Sequence, residues 1–321
     1  RLRIAHRVGR LGRVKLLRGA TFNVTGTVTG TRTDGILPPI TITSSTHPDE
    51  ALIYNDDFPV IALSWNQPFP SRQGYYQRID QVAVDVPTPA NGQFVASELL
   101  SLMPSAVSAG ANYFHIASVD AMSNPGTVEG TFKIQINSTP PQVTSSSHPS
   151  QTAWSTNQTA FFAWTFPVAD ANVKGVYYVL DHYGSTVPTF TDTFLPVGQK
   201  QLILNLTDGV WAFHVVALDQ RGYLTKKSGS YQVRIGADPG SGTVLGHVVD
   251  NTSASVANAT VTVNRGLFGN QTSNASGNYN FPSVVAGTWE VTASAPGLKS
   301  STQMVTVTST GSSTANFTLS P

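Results

Sequence analysis

The chain contains no cysteine in 321 residues. That absence excludes a disulfide scaffold, a thiolate zinc site, an iron–sulfur cluster and covalently attached haem. Charge is also scarce: Asp, Glu, Lys and Arg make up 12% of the chain, about half the level usual for a soluble domain. No acidic residue occurs in the first 33 positions, which hold eight Lys and Arg. The rest carries 11 basic and 18 acidic residues, a net of −7, so the formal total of +1 describes neither part. No apolar run reaches the 18 or so residues that cross a bilayer, so no membrane span is expected. The sequence opens at Arg1 without Met or a signal-peptide pattern, which fits a processed or trimmed product.

What is present is repetition. PPITITSSTHP from Pro38 is followed by LSW ending at Trp65, GYYQRID ending at Asp80, VPT from Val86 and NYFHIASVDAMSN from Asn112. PPQVTSSSHP from Pro140 is followed by FAW ending at Trp164, GVYYVLD ending at Asp181, VPT from Val187 and WAFHVVALDQRG from Trp211. His47 and His148 are 101 apart, Asp80 and Asp181 101 apart, His115 and His214 99 apart. A common offset over five blocks marks a tandem repeat. Short alternating stretches such as Thr131 to Ile136, separated by Pro- and Gly-marked turns, predict an all-β sandwich for each unit. Trp65 and Trp164 are the expected core centres.

On these blocks, residues 37–139 and 140–238 resemble immunoglobulin-like or fibronectin-III-like repeats of bacterial and archaeal surface proteins. The resemblance implies a spacer or binding module without catalysis. From Gly242 the pattern changes to GTVLGHVVDNTSASVANATVTV, NASGNYNFPSVVAGTWEVTASAPGL and NFTLSP. Gly246, the strand from Ala257, the turn from Ser276, Gly287, Pro296-Gly297 and the strand from Asn316 to Leu319 resemble the carboxypeptidase regulatory-like domain. That likeness implies a small transthyretin-like sandwich over residues 242–321.

Residues 1–36 form a basic arm followed by an extra strand. TFNVTGTVTGTRT, residues 21–33, places Phe22, Val24 and Val28 on one face at period two. A lone strand is unstable in water and needs a sheet to join. The segment is therefore a donor strand for a neighbouring copy or the end of a missing domain. The arm lacks interleaved aromatics, which argues against nucleic acid. Acidic glycans, cell-envelope components or acidic faces of other copies are its expected partners.

Asn-x-Ser/Thr occurs at Asn23, Asn137, Asn157, Asn205, Asn251, Asn258, Asn270, Asn274 and Asn316. With 18 Asn and Ser plus Thr at about a fifth of positions, chance gives roughly four such sites. The excess points to an N-glycosylated exterior in which sugar replaces charge as the source of hydration. An extracellular chain without disulfides favours an archaeal envelope protein.

Other candidates are weaker. His47 with His115 and His148 with His214 could form metal sites only by converging with an open position, and their recurrence favours a structural role. Asp120 and Asp219 are suited to shaping turns through backbone amides. Asp49, Glu50, Asp56 and Asp57 lack the spacing of a calcium loop. Lys133 is the one candidate for an isopeptide bond. Asp80 and Asp85 are not set across a cleft. Tyr177, Tyr178 and Trp154 are candidates for a sugar-binding platform, with one of the two tyrosines facing outward. Nucleophile elbows, HExxH and phosphate-binding loops are absent from the sequence.

The expectation is all-β, with three consecutive β-sandwiches after a basic arm. The chain reads as a non-catalytic structural subunit of an extracellular surface assembly (filament, sheath or S-layer) that needs no cofactor or metal. Its main partners are other copies of itself, met by strand addition. The alternative is a stalk or spacer fragment of a large secreted adhesin or hydrolase.

Overall fold

A computed structural model describes residues 40–66, 72–120 and 125–321. The basic arm, Asn23 and the Phe22, Val24 and Val28 strand lie outside the described residues.

The first sandwich contains β1 (Ile42–Ser44), β2 (Ile53–Asn55), β3 (Ile61–Trp65), β4 (Arg72–Asp80), β5 (Gln93–Val95), β6 (Leu99–Leu102), β7 (Gly110–Asp120) and β8 (Pro125–Asn137). One sheet runs β1-β3-β6 and the other β2-β8-β7-β4-β5. The second contains β9 (Gln142–Thr144), β10 (Trp154–Ser155), β11 (Thr159–Thr165), β12 (Val173–Asp181), β13 (Thr193–Pro196), β14 (Gln201–Asn205), β15 (Gly209–Asp219) and β16 (Gly229–Ile235). Its sheets run β9-β11-β14 and β10-β16-β15-β12-β13, strand for strand the order of the first. The likeness extends to irregularities: β4 shifts register between Arg72 and Gly74, and β12 between Val173 and Gly175.

Both tryptophans are buried, and each contacts the phenylalanine of its long central strand. Ring centroids are 5.7 Å apart for Trp65–Phe114 and 5.9 Å for Trp164–Phe213. Alternation on β3 and β11 sends every second side chain inward, as a half-buried strand requires.

The third sandwich comprises β17 (Ser241–Asp250), β18 (Thr260–Val263), β19 (Asn270–Thr272), β20 (Asn278–Val285), β21 (Gly287–Ser294), β22 (Ser301–Val307), β23 (Ser312–Thr314) and β24 (Phe317–Leu319). β17 pairs with β20 on one side and, in parallel, with β23 and β24 on the other; the second sheet runs β19-β18-β21-β22. Val244, Val248, Val261, Val291, Phe281 and Phe317 meet between the sheets. Gly246 lies so close to β24's approach that an added Cβ would be 1.7 Å from the Ala315 carbonyl oxygen.

Candidate functional site: two pinned joints and the exposed asparagines

His115 and His214 act inside their sandwiches. A carbonyl can only accept, so His115 Nε2 donates to Val82 O at 2.8 Å, and the Thr131 hydroxyl meets Nδ1 at 3.1 Å. His214 repeats this with Tyr183 O at 2.8 Å and Ser230 Oγ at 2.8 Å. Each ring thus ties the loop after β4 or β12 to the central strands. The SS[ST]HP loops are pinned by hydroxyls: His47 N donates to Ser44 Oγ and His148 N to Ser145 Oγ. Ala62 N and Phe161 N donate to Thr46 Oγ1 and Ser147 Oγ. Both nitrogens of His115, His148 and His214 therefore have protein partners.

His47 differs. Its Nε2 is buried without a hydrogen bond, and the ring is enclosed by Tyr54, Phe58 and Tyr223, the last contributed by the second sandwich. Burial, reinforced by the nearby Arg221 charge, lowers its pKa to about 4.

This ring lies at the first joint, whose centre is a set of buried amide bonds. Asn55, 3% exposed, donates its backbone N–H to Asp219 Oδ2 at 2.8 Å. Its side-chain Nδ2 donates to Ala217 O and Tyr223 O, and its Oδ1 accepts from Asn137 Nδ2 at 2.9 Å. Asp219, 2% exposed, also accepts from Arg221 N and Tyr223 N, so it shapes its own turn while receiving the preceding sandwich. Burial raises its pKa, and the backbone donors oppose that shift. Asp57 N donates to Leu224 O, Lys226 N to Asp56 Oδ1, and Ile53 N to Asn172 Oδ1 around the rim.

The acidic residues considered for calcium are engaged otherwise. Asp49 Oδ1 accepts from Ala51 N, Glu50 Oε2 from Lys133 N, and Asp56 from the second sandwich. Lys133 is half-buried, and its backbone N–H meets the Glu50 carboxylate. Arg78 bridges Asp80 and Asp85 at 2.7 and 2.9 Å, which holds them as an ion-pair cluster. Among the described residues no group of three or more His, Asp and Glu is placed to hold a metal ion.

The second joint is also pinned by a buried asparagine. Asn264 Nδ2 donates to His182 O at 2.8 Å, its Oδ1 accepts from Glu290 N, and its backbone carbonyl accepts from Gly184 N. Val210 and Ala212 pack on Leu267 and Val285, flanked by Trp154 and Trp289. Gly184 has no room for a side chain: a Cβ would be 2.2 Å from Leu267 N. Trp154 therefore belongs to a joint and not to an aromatic platform beside Tyr177. Tyr178 packs against Phe213, while Tyr177 faces the opposite side against Phe190 and Phe194, which are exposed.

Of the sequon asparagines, Asn157, Asn205, Asn251, Asn258, Asn270, Asn274 and Asn316 are exposed. Asn137 departs from the expectation of a sugar-bearing surface. It is 7% exposed, and its Nδ2 is committed to Asn55 Oδ1 and Thr139 O. That nitrogen is the one a glycan would substitute, so a sugar there and a closed first joint exclude each other. Asn55 and Asn264 were not singled out by sequence reasoning. The available signal was a departure from the repeat, since β10 carries no asparagine where β2 ends on Asn55.

These are three consecutive β-sandwiches whose two joints are held by buried asparagine side chains bonded to backbone. Residues 243–320 match the carboxypeptidase regulatory-like domain. The chain is similar in structure to the fibronectin(III)-like modules of Clostridium thermocellum CbhA, with 10% identity, 61% of this chain and 94% of that one covered, and a TM-score of 0.27. It is similar also to a two-domain fibronectin type-III segment of chicken tenascin (13% identity, 55% and 92% covered, TM-score 0.25). A Ca2+-stabilised adhesin by which an Antarctic bacterium binds ice gives 12% identity, 86% and 75% coverage, and a TM-score of 0.30. Comparison with curated proteins gave no match.

Proposed function

We propose that this chain is a non-catalytic structural subunit of an extracellular surface assembly, N-glycosylated, and joined to neighbouring copies by addition of the strand at residues 21–33. The observation that carries this reading is the opposing distribution of sequons and exposed apolar side chains. The first described sandwich exposes Val82, Val84, Val86, Phe94, Leu99 and Met103, and its one sequon asparagine is buried. The third carries five exposed sequon asparagines and exposes only Leu245 and Met304 among large hydrophobics. Such a division suits an assembly in which the first sandwich is covered by neighbours and the third faces outward.

The sheet edges support strand addition. β5 and β6 end their respective sheets and are consecutive in sequence, as are β13 and β14. Phe94 and Leu99, and Phe194 and Ile203, stand exposed along these edges. An apolar edge with no further strand beside it among the described residues is a template for another strand. The test compares the full chain with one lacking residues 1–36 by sedimentation and micrography. The truncated chain should stay folded and monomeric; normal polymers from it would sink the strand-addition reading.

A spacer role within a larger secreted adhesin or hydrolase is the second reading, and the pinned joints favour it equally. The intact mass of the native protein separates the two: a mass far above 34.1 kDa plus sugars supports the spacer.

A further inference from the structure

A cleft of about 520 Å³ opens beside the second joint, bordered by Gly184 and Ser185 of the second sandwich and by Arg265, Glu290, Thr292 and Asn270 of the third. Three features give it a definite chemistry. First, three of its lining residues, Gly184, Gly266 and Gly269, contribute no side chains and leave room beside the backbone. Second, its charges balance. The Arg265 guanidinium lies 4.3 Å over the Tyr183 ring and 3.7 Å from the Glu290 carboxylate. Third, hydroxyls line one wall, where Thr262 lies opposite Asn270 in the ladder and Thr292 bonds Thr302 at 2.9 Å.

A polar, neutral, hydroxyl-lined cleft of this size suits a short uncharged saccharide. One of its own lining residues is the acceptor of a sequon. Asn270 is exposed, its Oδ1 lies 3.1 Å from where a Cβ on Gly266 would stand, and its Nδ2 donates no hydrogen bond among the described residues. A sugar attached there would start at the cleft's border.

We propose that the cleft is the seat of the first sugars of a glycan carried on Asn270, which fold back against Arg265 and Gly184 and brace the second joint. The proposal rests on the glycosylation reading above. Its test uses the full chain from its native source, with glycopeptide mapping and amide hydrogen exchange over residues 182–186 and 262–270. Thr272→Ala removes the sequon and Thr272→Ser keeps it; Asn270→Gln serves as a second removal should Thr272→Ala fold poorly. Asn270 should be occupied, exchange in both segments should quicken severalfold in the two removal variants, and Thr272→Ser should restore protection. An unmodified Asn270 beside occupied Asn205 or Asn251 overturns the seat while leaving glycosylation standing. No occupied sequon anywhere overturns both. Occupancy without any change in exchange also overturns the seat. So does equal protection of the Thr272→Ala chain by added N-acetylglucosamine disaccharide, which would make the cleft a receptor for outside sugar.

Discussion

The backbone N–H of Asn55 donates to the Asp219 carboxylate at 2.8 Å, joining residues 164 positions apart across two sandwiches. Both are almost fully buried. Removing the carboxylate leaves the Asn55, Arg221 and Tyr223 amides without their acceptor. A buried unsatisfied amide costs about 1–3 kcal/mol. Only the Asn55 amide of the three is buried, so Asp219→Ala should destabilise the first two sandwiches by about 1–3 kcal/mol and split their calorimetric transition in two. A single unshifted transition would contradict this account of the joint.

Acid should loosen the same joint through His47. Its folded pKa is lowered from 6.5 to about 4, so between those values the unfolded chain binds the proton more readily. Stability is then full above pH 6.5 and declines as pH falls toward 4, by up to about 3 kcal/mol. Asp219, whose pKa burial raises, contributes the opposite slope within the acidic range. Urea titrations at pH 7.5 and 4.5 measure the sum. His47→Phe should remove the His47 part, and a variant as acid-sensitive as the parent would refute the assignment.

Sugar occupancy should be uneven. Glycopeptide mapping of folded protein should find Asn137 unmodified, because its Nδ2 bonds Asn55 and Thr139. Asn137→Ala should cost about 1–3 kcal/mol by orphaning Asn55 Oδ1. Asn251→Gln, on an exposed turn, should change stability by less than about 0.5 kcal/mol. A glycan on Asn137 in chains with the first joint closed would be decisive against this.

Gly184→Ala should open the second joint, since the new methyl would stand 2.2 Å from Leu267 N and 2.3 Å from the Gly266 carbonyl carbon. Backbone cannot yield there as a side-chain tip can, so a cost of about 1–3 kcal/mol is expected. Limited proteolysis should cut near Asp238–Gly240 faster than in the parent. Gly198→Ala, where a Cβ meets nothing within 4 Å, is the control and should leave the cleavage rate unchanged.

The repeat made much of this molecule legible. Period two, the two tryptophans and the constant offset indicated twin sandwiches, because alternation and spacing are local properties of the chain. His115 and His214 were legible as structural for the same reason: a residue kept in both copies serves what both copies share. The joints were not legible, because each serves a different neighbour. β2 ends on Asn55 to meet the second sandwich, whereas β10 begins on Trp154 to meet the third. Asn137 read as a sugar acceptor because a sequon is a three-residue pattern, blind to what packs over it.

The sequence alone determined the all-β class, the duplication, the third domain's likeness and the split between a basic arm and a weakly acidic, Thr-rich remainder. Each follows from composition or from contacts between near neighbours. Tertiary structure decided which asparagines face solvent, why His47 is the one repeat histidine without a full set of bonds, and where Asp219 spends its second oxygen. Those outcomes depend on burial between surfaces far apart in sequence. Burial turns an ordinary amide or imidazole into a group whose every hydrogen bond must be found within the protein.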